Sequence, residues 1–135
     1  MKNWNESLLV GVSLIDNQHR ELINKMDQLR DACMNGRGHD EVEETLRFIV
    51  SYIQEHFHDE EEMQIKYAYP DVVAHKKLHA GFVARVIELL QEDKRTGPTT
   101  ELTGKVNNTL IGWFVQHIRT EDKKLGLYIR KAGHR

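Results

Sequence analysis

Five of the eight histidines in this 135-residue chain fall on a pattern. His19, His56, His75, His79 and His117 each continue a run of apolar residues at helical spacing, and Glu60 follows His56 by one turn. Two of these groups, His56 with Glu60 and His75 with His79, are spaced i, i+4. That spacing puts both side chains on one helix face, ~5–6 Å apart at Cβ, close enough to share an ion. Imidazole with carboxylate suits iron, manganese or zinc, and the single Cys33 supplies no thiolate set for a softer site.

The elements that must carry these residues are helices. Apolar residues recur every three or four positions at Leu22, Met26, Leu29 and Cys33; at Val42, Leu46, Ile49 and Ile53; at Val72, Phe82, Val86 and Leu89; and at Leu102, Val106, Leu110 and Trp113. Strand-like alternation is nearly absent. Breakers stand at Gly36-Arg37-Gly38, at Tyr69-Pro70 and at Thr96-Gly97-Pro98. Gly36 suits a helix end, Pro70 a helix start, and Thr99 or Thr100 a cap. The spacing predicts an N-terminal arm over 1–15 and helices over about 17–36, 40–65, 71–93 and 100–128. Short connections between four amphipathic helices predict an all-α fold, an up-down-up-down antiparallel four-helix bundle, in one domain spanning 1–135.

In such a bundle the polar residues meet. His19 lies near the start of the first helix, His56 and Glu60 near the end of the second, His75 and His79 near the start of the third, and His117 near the end of the fourth. All four places are at the same end. Burying these groups unpartnered would cost ~1–3 kcal/mol each, which bound metal offsets. With a second carboxylate the set exceeds what one ion takes and suits two ions bridged by carboxylates. One histidine on an apolar face is usually a hydrogen-bonded core residue; five at one depth on four helices are not so explained. His39 in the first turn, His58, ~200° around from His56, and His134 in the tail read as ordinary. Glu61 and Glu62 read as a solvated face. The second carboxylate is Glu121 or Asp122. Periodicity favours Glu121, at i+4 from His117; Asp122 is ~140° away on a regular helix, unless a local bulge or helix end brings it back.

Composition narrows the rest. A formal net charge of −2 gives no basic excess for nucleic acid or an anionic membrane. No apolar run is long enough to span a bilayer, and Met1–Glu6 has no hydrophobic signal core. One cysteine cannot form an internal disulfide, which fits a reducing compartment. The expected location is cytoplasmic, and the expected state a monomer without membrane insertion, its protein partners unknown.

These residues, in this order, resemble the hemerythrin family, especially its single-domain bacterial members. The matching pieces are Trp4; Val12-Ser13-Leu14-Ile15-Asp16-Asn17-Gln18-His19; His56-Phe57-His58-Asp59-Glu60-Glu61 with Met63; Tyr69-Pro70; His75 and His79; and His117-Ile118 with Asp122-Lys123. The resemblance covers nearly the whole chain. It implies a centre of two iron ions (Fe2+/Fe3+) with a bridging oxo or hydroxo group. It also implies that Asp122, not Glu121, is the second bridge beside Glu60. By the same matching His75, His79 and His117 would hold one iron, and His19 and His56 the other, which keeps a vacant position for dioxygen. Release and uptake would be reversible, and that needs a dry pocket. Leu22, Trp113, Phe114 and Ile118, each within about a turn of a ligand histidine, are its candidate walls.

The expected function is therefore reversible dioxygen binding, for transport, storage or delivery, with no catalytic residue assigned. Two alternatives stand beside it. One is a di-iron enzyme acting on peroxide, nitric oxide or dioxygen, although the Glu-x-x-His arrangement of ferritin-like di-iron proteins is absent. The other is an oxygen or redox sensor. The sequence stops soon after the fourth helix with no output domain, so a sensor would act through a separate partner.

Overall fold

The computed structural model describes residues 3–34, 39–96 and 100–133, and within them the side chains of all but 39–42, 89, 90, 92–96 and 100–106. After a 3-10 turn at Glu6–Leu8 come α1 (Ser13–Met34), α2 (His39–Lys66), α3 (Val72–Thr96), α4 (Thr100–His117) and α5 (Lys123–Lys131). A π-helical turn, Ile118–Asp122, joins α4 to α5, so the last two helices form one rod. α1 packs against α2 and α4, and α3 packs against the same two, closing a ring of four rods. Consecutive rods, separated by only a few residues in sequence, run antiparallel, which is the expected bundle. Among the described residues there is no strand, and no helix is long and apolar enough to cross a membrane.

The predicted stripes line the core. Leu22, Met26, Leu29, Cys33, Leu46, Ile49, Ile53, Phe82, Val86 and Leu110 are buried. Removing each large apolar side chain from water stabilises the fold by ~1.5–3 kcal/mol. Val72 and Trp113 are only partly buried. The side chains of Val42, Leu89, Thr100, Leu102 and Val106, and residues Gly36, Thr99 and His134, lie outside the described set. His39 opens α2 instead of lying in the turn before it.

α1 begins at Ser13, earlier than spacing predicts, because Asp16 organises its start. The Asp16 carboxylate accepts hydrogen bonds from the backbone N–H groups of Val10 (2.8 Å) and Gly11 (3.1 Å). A carboxylate in the first turn also complements the helix dipole. The arm is thereby shortened and pinned, with Leu8, Val10 and Val12 buried. It runs close to α5: a Cβ on Gly126 would overlap the Val10 carbonyl oxygen, so only glycine fits there. Farther out, the Asn3 side-chain amide donates to Asp27 Oδ1 (2.6 Å), and the Arg20 guanidinium lies over the half-buried Trp4 ring.

α2 ends at a turn with Ala68 in the left-handed region (φ 53°). Ala68 N–H donates to Ile65 O (3.1 Å) and Tyr69 N–H to Gln64 O (2.8 Å), the pair of bonds that satisfies the last helix carbonyls. The Tyr128 hydroxyl of α5 reaches the Tyr67 and Ala68 carbonyls (2.9 and 3.0 Å), tying the rod's end to this turn. Both elements are thus held beside the layer of histidines.

Candidate metal centre

His19 on α1, His56 and Glu60 on α2, His75 and His79 on α3, His117 at the end of α4 and Asp122 at the end of the π turn converge in one layer of the core, and all seven are buried. Two overlapping groups form, each with its donor atoms within 4.8 Å of one another: Glu60, His75, His79, His117 and Asp122; and His19, His56, Glu60 and Asp122. The carboxylates divide between them. Glu60 Oε1 lies 2.9 Å from His75 Nε2 and 3.3 Å from His79 Nε2, while Oε2 lies 3.3 Å from His56 Nε2 and 3.8 Å from His19 Nε2. Asp122 Oδ1 lies 3.1 Å from the Nε2 atoms of both His75 and His117, while Oδ2 lies 3.1 Å from His19 Nε2. Each carboxylate turns one oxygen to each group, the geometry of a bridge.

The winding of the backbone decides which acid joins the layer. Lys123 N–H bonds to Ile118 O, an i→i−5 bond that widens the turn. The wide turn carries Asp122, five residues after His117, back beneath it. Glu121, which periodicity favours, instead lies part-exposed 3.7 Å from Lys124 Nζ. The Thr120 hydroxyl donates to Gln116 O (2.9 Å) beside the bulge.

Metal fits the donor set. The Nε2 atoms of His19 and His56 and all four oxygens of Glu60 and Asp122 are buried without a hydrogen-bond partner. The Nε2 atom of His117 lies 3.0 Å from that of His79 and 3.1 Å from that of His75, nitrogens pointing at one another. His79 directs its Nδ1 at Glu61 Oε2 (3.0 Å). A carboxylate only accepts, so that Nδ1 carries the proton and Nε2 offers a bare lone pair inward. Lone pairs so gathered call for positive charge, which a bound cation, or protonation of some of the imidazoles, would supply.

Charges reflect the same crowding. Burial opposes protonation of His19 and His75, yet the neighbouring Asp122 and Glu60 carboxylates outweigh it and raise the two to about 9 and about 10. Burial holds His56 below its ordinary value despite Glu60. Glu60 and Asp122 are opposed by burial but lie below the usual carboxylate range, because the imidazoles around them favour the anions.

An outer layer holds the histidines. His56 Nδ1–H donates to Gln18 Oε1 (2.7 Å), and Gln18 Nε2–H donates to Asp59 Oδ2 (2.8 Å). The role of Glu61 corrects the solvated-face reading: it lies on the α3 side of α2 and holds His79. Spacing gives no signal for Gln18, Asp59 and Glu61, since their partners are on other turns or other helices; all three do fall within the pieces that resemble the family. His58 is exposed beside Glu62, as expected.

The apolar candidates take different sides. Phe114, fully buried, presents its ring edge-on to His19 (5.3 Å) and His56 (6.1 Å). Trp113 stacks on His117 (4.5 Å) and Phe82 (4.0 Å), against the three-histidine group. Phe57 stacks face-on with His79 at 3.7 Å. Leu22, one turn beyond His19, and Ile118, next to His117, are both fully buried.

This is the constellation of a helical-bundle metalloprotein with a histidine- and carboxylate-rich centre. The family profile described as hemerythrin HHE cation binding domain matches residues 10–128. The chain is 31% identical over 119 residues to a bacteriohemerythrin of Pseudomonas aeruginosa, covering 88% of this chain and 75% of that protein. It is 31% identical over 120 residues to a bacteriohemerythrin of Stenotrophomonas maltophilia (89% and 76% covered), and 34% identical over 123 residues to a myohemerythrin of Theromyzon tessulatum (90% and 88% covered). The chain belongs to the hemerythrin family.

Proposed function

We propose that this protein binds dioxygen reversibly at a non-haem di-iron centre. The observation that carries this reading is the division of Glu60 and Asp122, one oxygen of each facing each histidine group. In this reading His75, His79 and His117 would hold one iron and His19 and His56 the other, with Glu60 and Asp122 shared between them. The first group offers five residues and the second four. The side of His19 and His56, with one donor residue fewer, would be the one with room for dioxygen. Two irons held there would supply the two electrons that reversible dioxygen binding requires.

The chain's own residues supply the rest. Glu60 and Asp122 hold the two metal positions at a fixed separation. Their negative charge would offset that of the cations within the buried core. Phe114 closes the core beside the two-histidine group, and Leu22 and Ile118, both fully buried, are the further walls proposed for the place of dioxygen. Their task is to keep water and protons away while dioxygen is bound. Trp113 acts on the other side, holding the His117 ring by stacking.

The test is oxygen uptake by iron-loaded protein. The expected result is one dioxygen taken up per two irons and returned under argon. Uptake that never reverses contradicts the proposal. Continued consumption of dioxygen with excess reductant places the protein among the enzymes.

A further inference from the structure

The outer partners of the two metal groups differ in charge. His79, in the three-histidine group, donates its Nδ1–H directly to the Glu61 carboxylate at 3.0 Å. His56, in the two-histidine group, donates to the neutral amide oxygen of Gln18 at 2.7 Å, and the nearest carboxylate on that path, Asp59, is one residue farther out. Asp59 also decides the orientation of the amide. Its oxygen accepts only, so the Gln18 NH2 must face it and the Gln18 oxygen must face the ring. Both imidazoles are therefore fixed with Nδ1 protonated and Nε2 free, but only one leans on a negative charge. Burial sharpens the difference: His56 and His79 are both almost wholly out of water, where a neighbouring charge is weakly screened.

We propose that Gln18 and Glu61 are positioning residues that make the two metal positions electronically unequal, with Glu61 enriching the three-histidine side and the Gln18–Asp59 pair keeping the two-histidine side poorer. The inference rests on the di-iron reading above. An acceptor that carries charge pulls on the Nδ1 proton and raises the basicity of Nε2 toward the metal. A more basic donor favours the higher oxidation state. The metal bound by His79 is then the easier one to oxidise, and the metal beside the vacant place stays the easier one to reduce.

The two partners can be altered without removing a hydrogen bond. Glu61→Gln keeps an acceptor at His79 and deletes its charge. The double change Gln18→Glu with Asp59→Asn exchanges acid and amide. It keeps the net charge, places an amide that can donate where the Asp59 carboxylate accepted, and moves the negative charge against His56. In the iron-loaded protein, spectroelectrochemistry reads the two one-electron steps. Glu61→Gln is expected to raise the lower step alone by about tenfold in the Fe(III)-to-Fe(II) affinity ratio, ~59 mV. The exchange is expected to lower the higher step alone by a similar factor. A purely structural role would leave the exchange without effect on either step. Shifts of both steps together, or of neither, overturn the inference.

A second measurement needs no variant. In zinc-loaded protein labelled with 15N-histidine, the His79 Nδ1 nitrogen is expected nearer the imidazolate range than the His56 Nδ1. Equal or reversed positions overturn the inference by themselves. Failure of the unaltered chain to hold two zinc or two iron ions overturns the two-metal reading instead.

Discussion

Leu22 is fully buried one turn from His19, and the proposed function makes it a wall of the dioxygen pocket. Leu22→Ala opens space there and costs ~2–5 kcal/mol of stability. The oxygenated form of that variant is expected to decay faster by autoxidation, followed in the visible spectrum; decay at the unaltered rate would remove Leu22 from the pocket. A second contrast separates neighbours. Asp122→Ala is expected to lose both metals, while Glu121→Ala keeps both, as counted on the purified protein. Legibility at this scale varies with where the information lies. His19, His56, Glu60, His75, His79 and His117 are readable because each extends an apolar stripe of its own helix. Asp122 cannot be chosen by spacing, since its direction depends on how the backbone winds. Gln18, Asp59 and Glu61 are invisible as partners because their hydrogen bonds cross between turns and helices.

The π turn between α4 and α5 is the element on which the site depends most. It accommodates one residue more than a regular helix between His117 and Asp122. Deleting Thr120 brings the aspartate to i+4, where an ordinary α-helix already faces it to the layer, and leaves α5 in register with the arm. Such a variant is expected to keep its metal, while insertion of one alanine after Arg119, which puts the aspartate at i+6, is expected to lose it. Circular dichroism should show helix in both, so that metal content alone distinguishes them; equal metal content would mean that the turn does not set the ligand. The helices themselves are legible from periodicity and breakers, to within a few residues at most ends. The early start of α1 is not, because it comes from Asp16 gathering the Val10 and Gly11 amides. The arm's course is likewise unreadable, being fixed by a contact with Gly126 far along the chain.

For the whole molecule, the bundle's antiparallel order brings the ligand-bearing turns to one end and so couples stability to pH. Folding raises His19 and His75 from 6.5 to about 9 and about 10, so their contribution to the metal-free fold is full below pH 6.5 and fades as pH rises through those values. Glu60 and Asp122 are depressed below 4.5 and 3.8, so their contribution holds above those values and is lost as pH falls through the lowered ones. His56, lowered by burial, opposes the other two histidines near neutrality. The metal-free protein is expected to melt highest between pH about 4.5 and about 6.5; a melting temperature that climbs from there to pH 9 in the presence of chelator would contradict this. Metal reverses the trend, since it needs the imidazoles deprotonated. Loading at pH 7 should therefore release protons, measurable by titration in weak buffer.

Whether this layer holds two irons is tested most directly by anaerobic titration of the metal-free protein with Fe(II). Saturation is expected at two irons per chain, with both lost together when Glu60 or Asp122 is replaced by alanine. Saturation at one iron, or none, in the unaltered protein would contradict the di-iron centre itself.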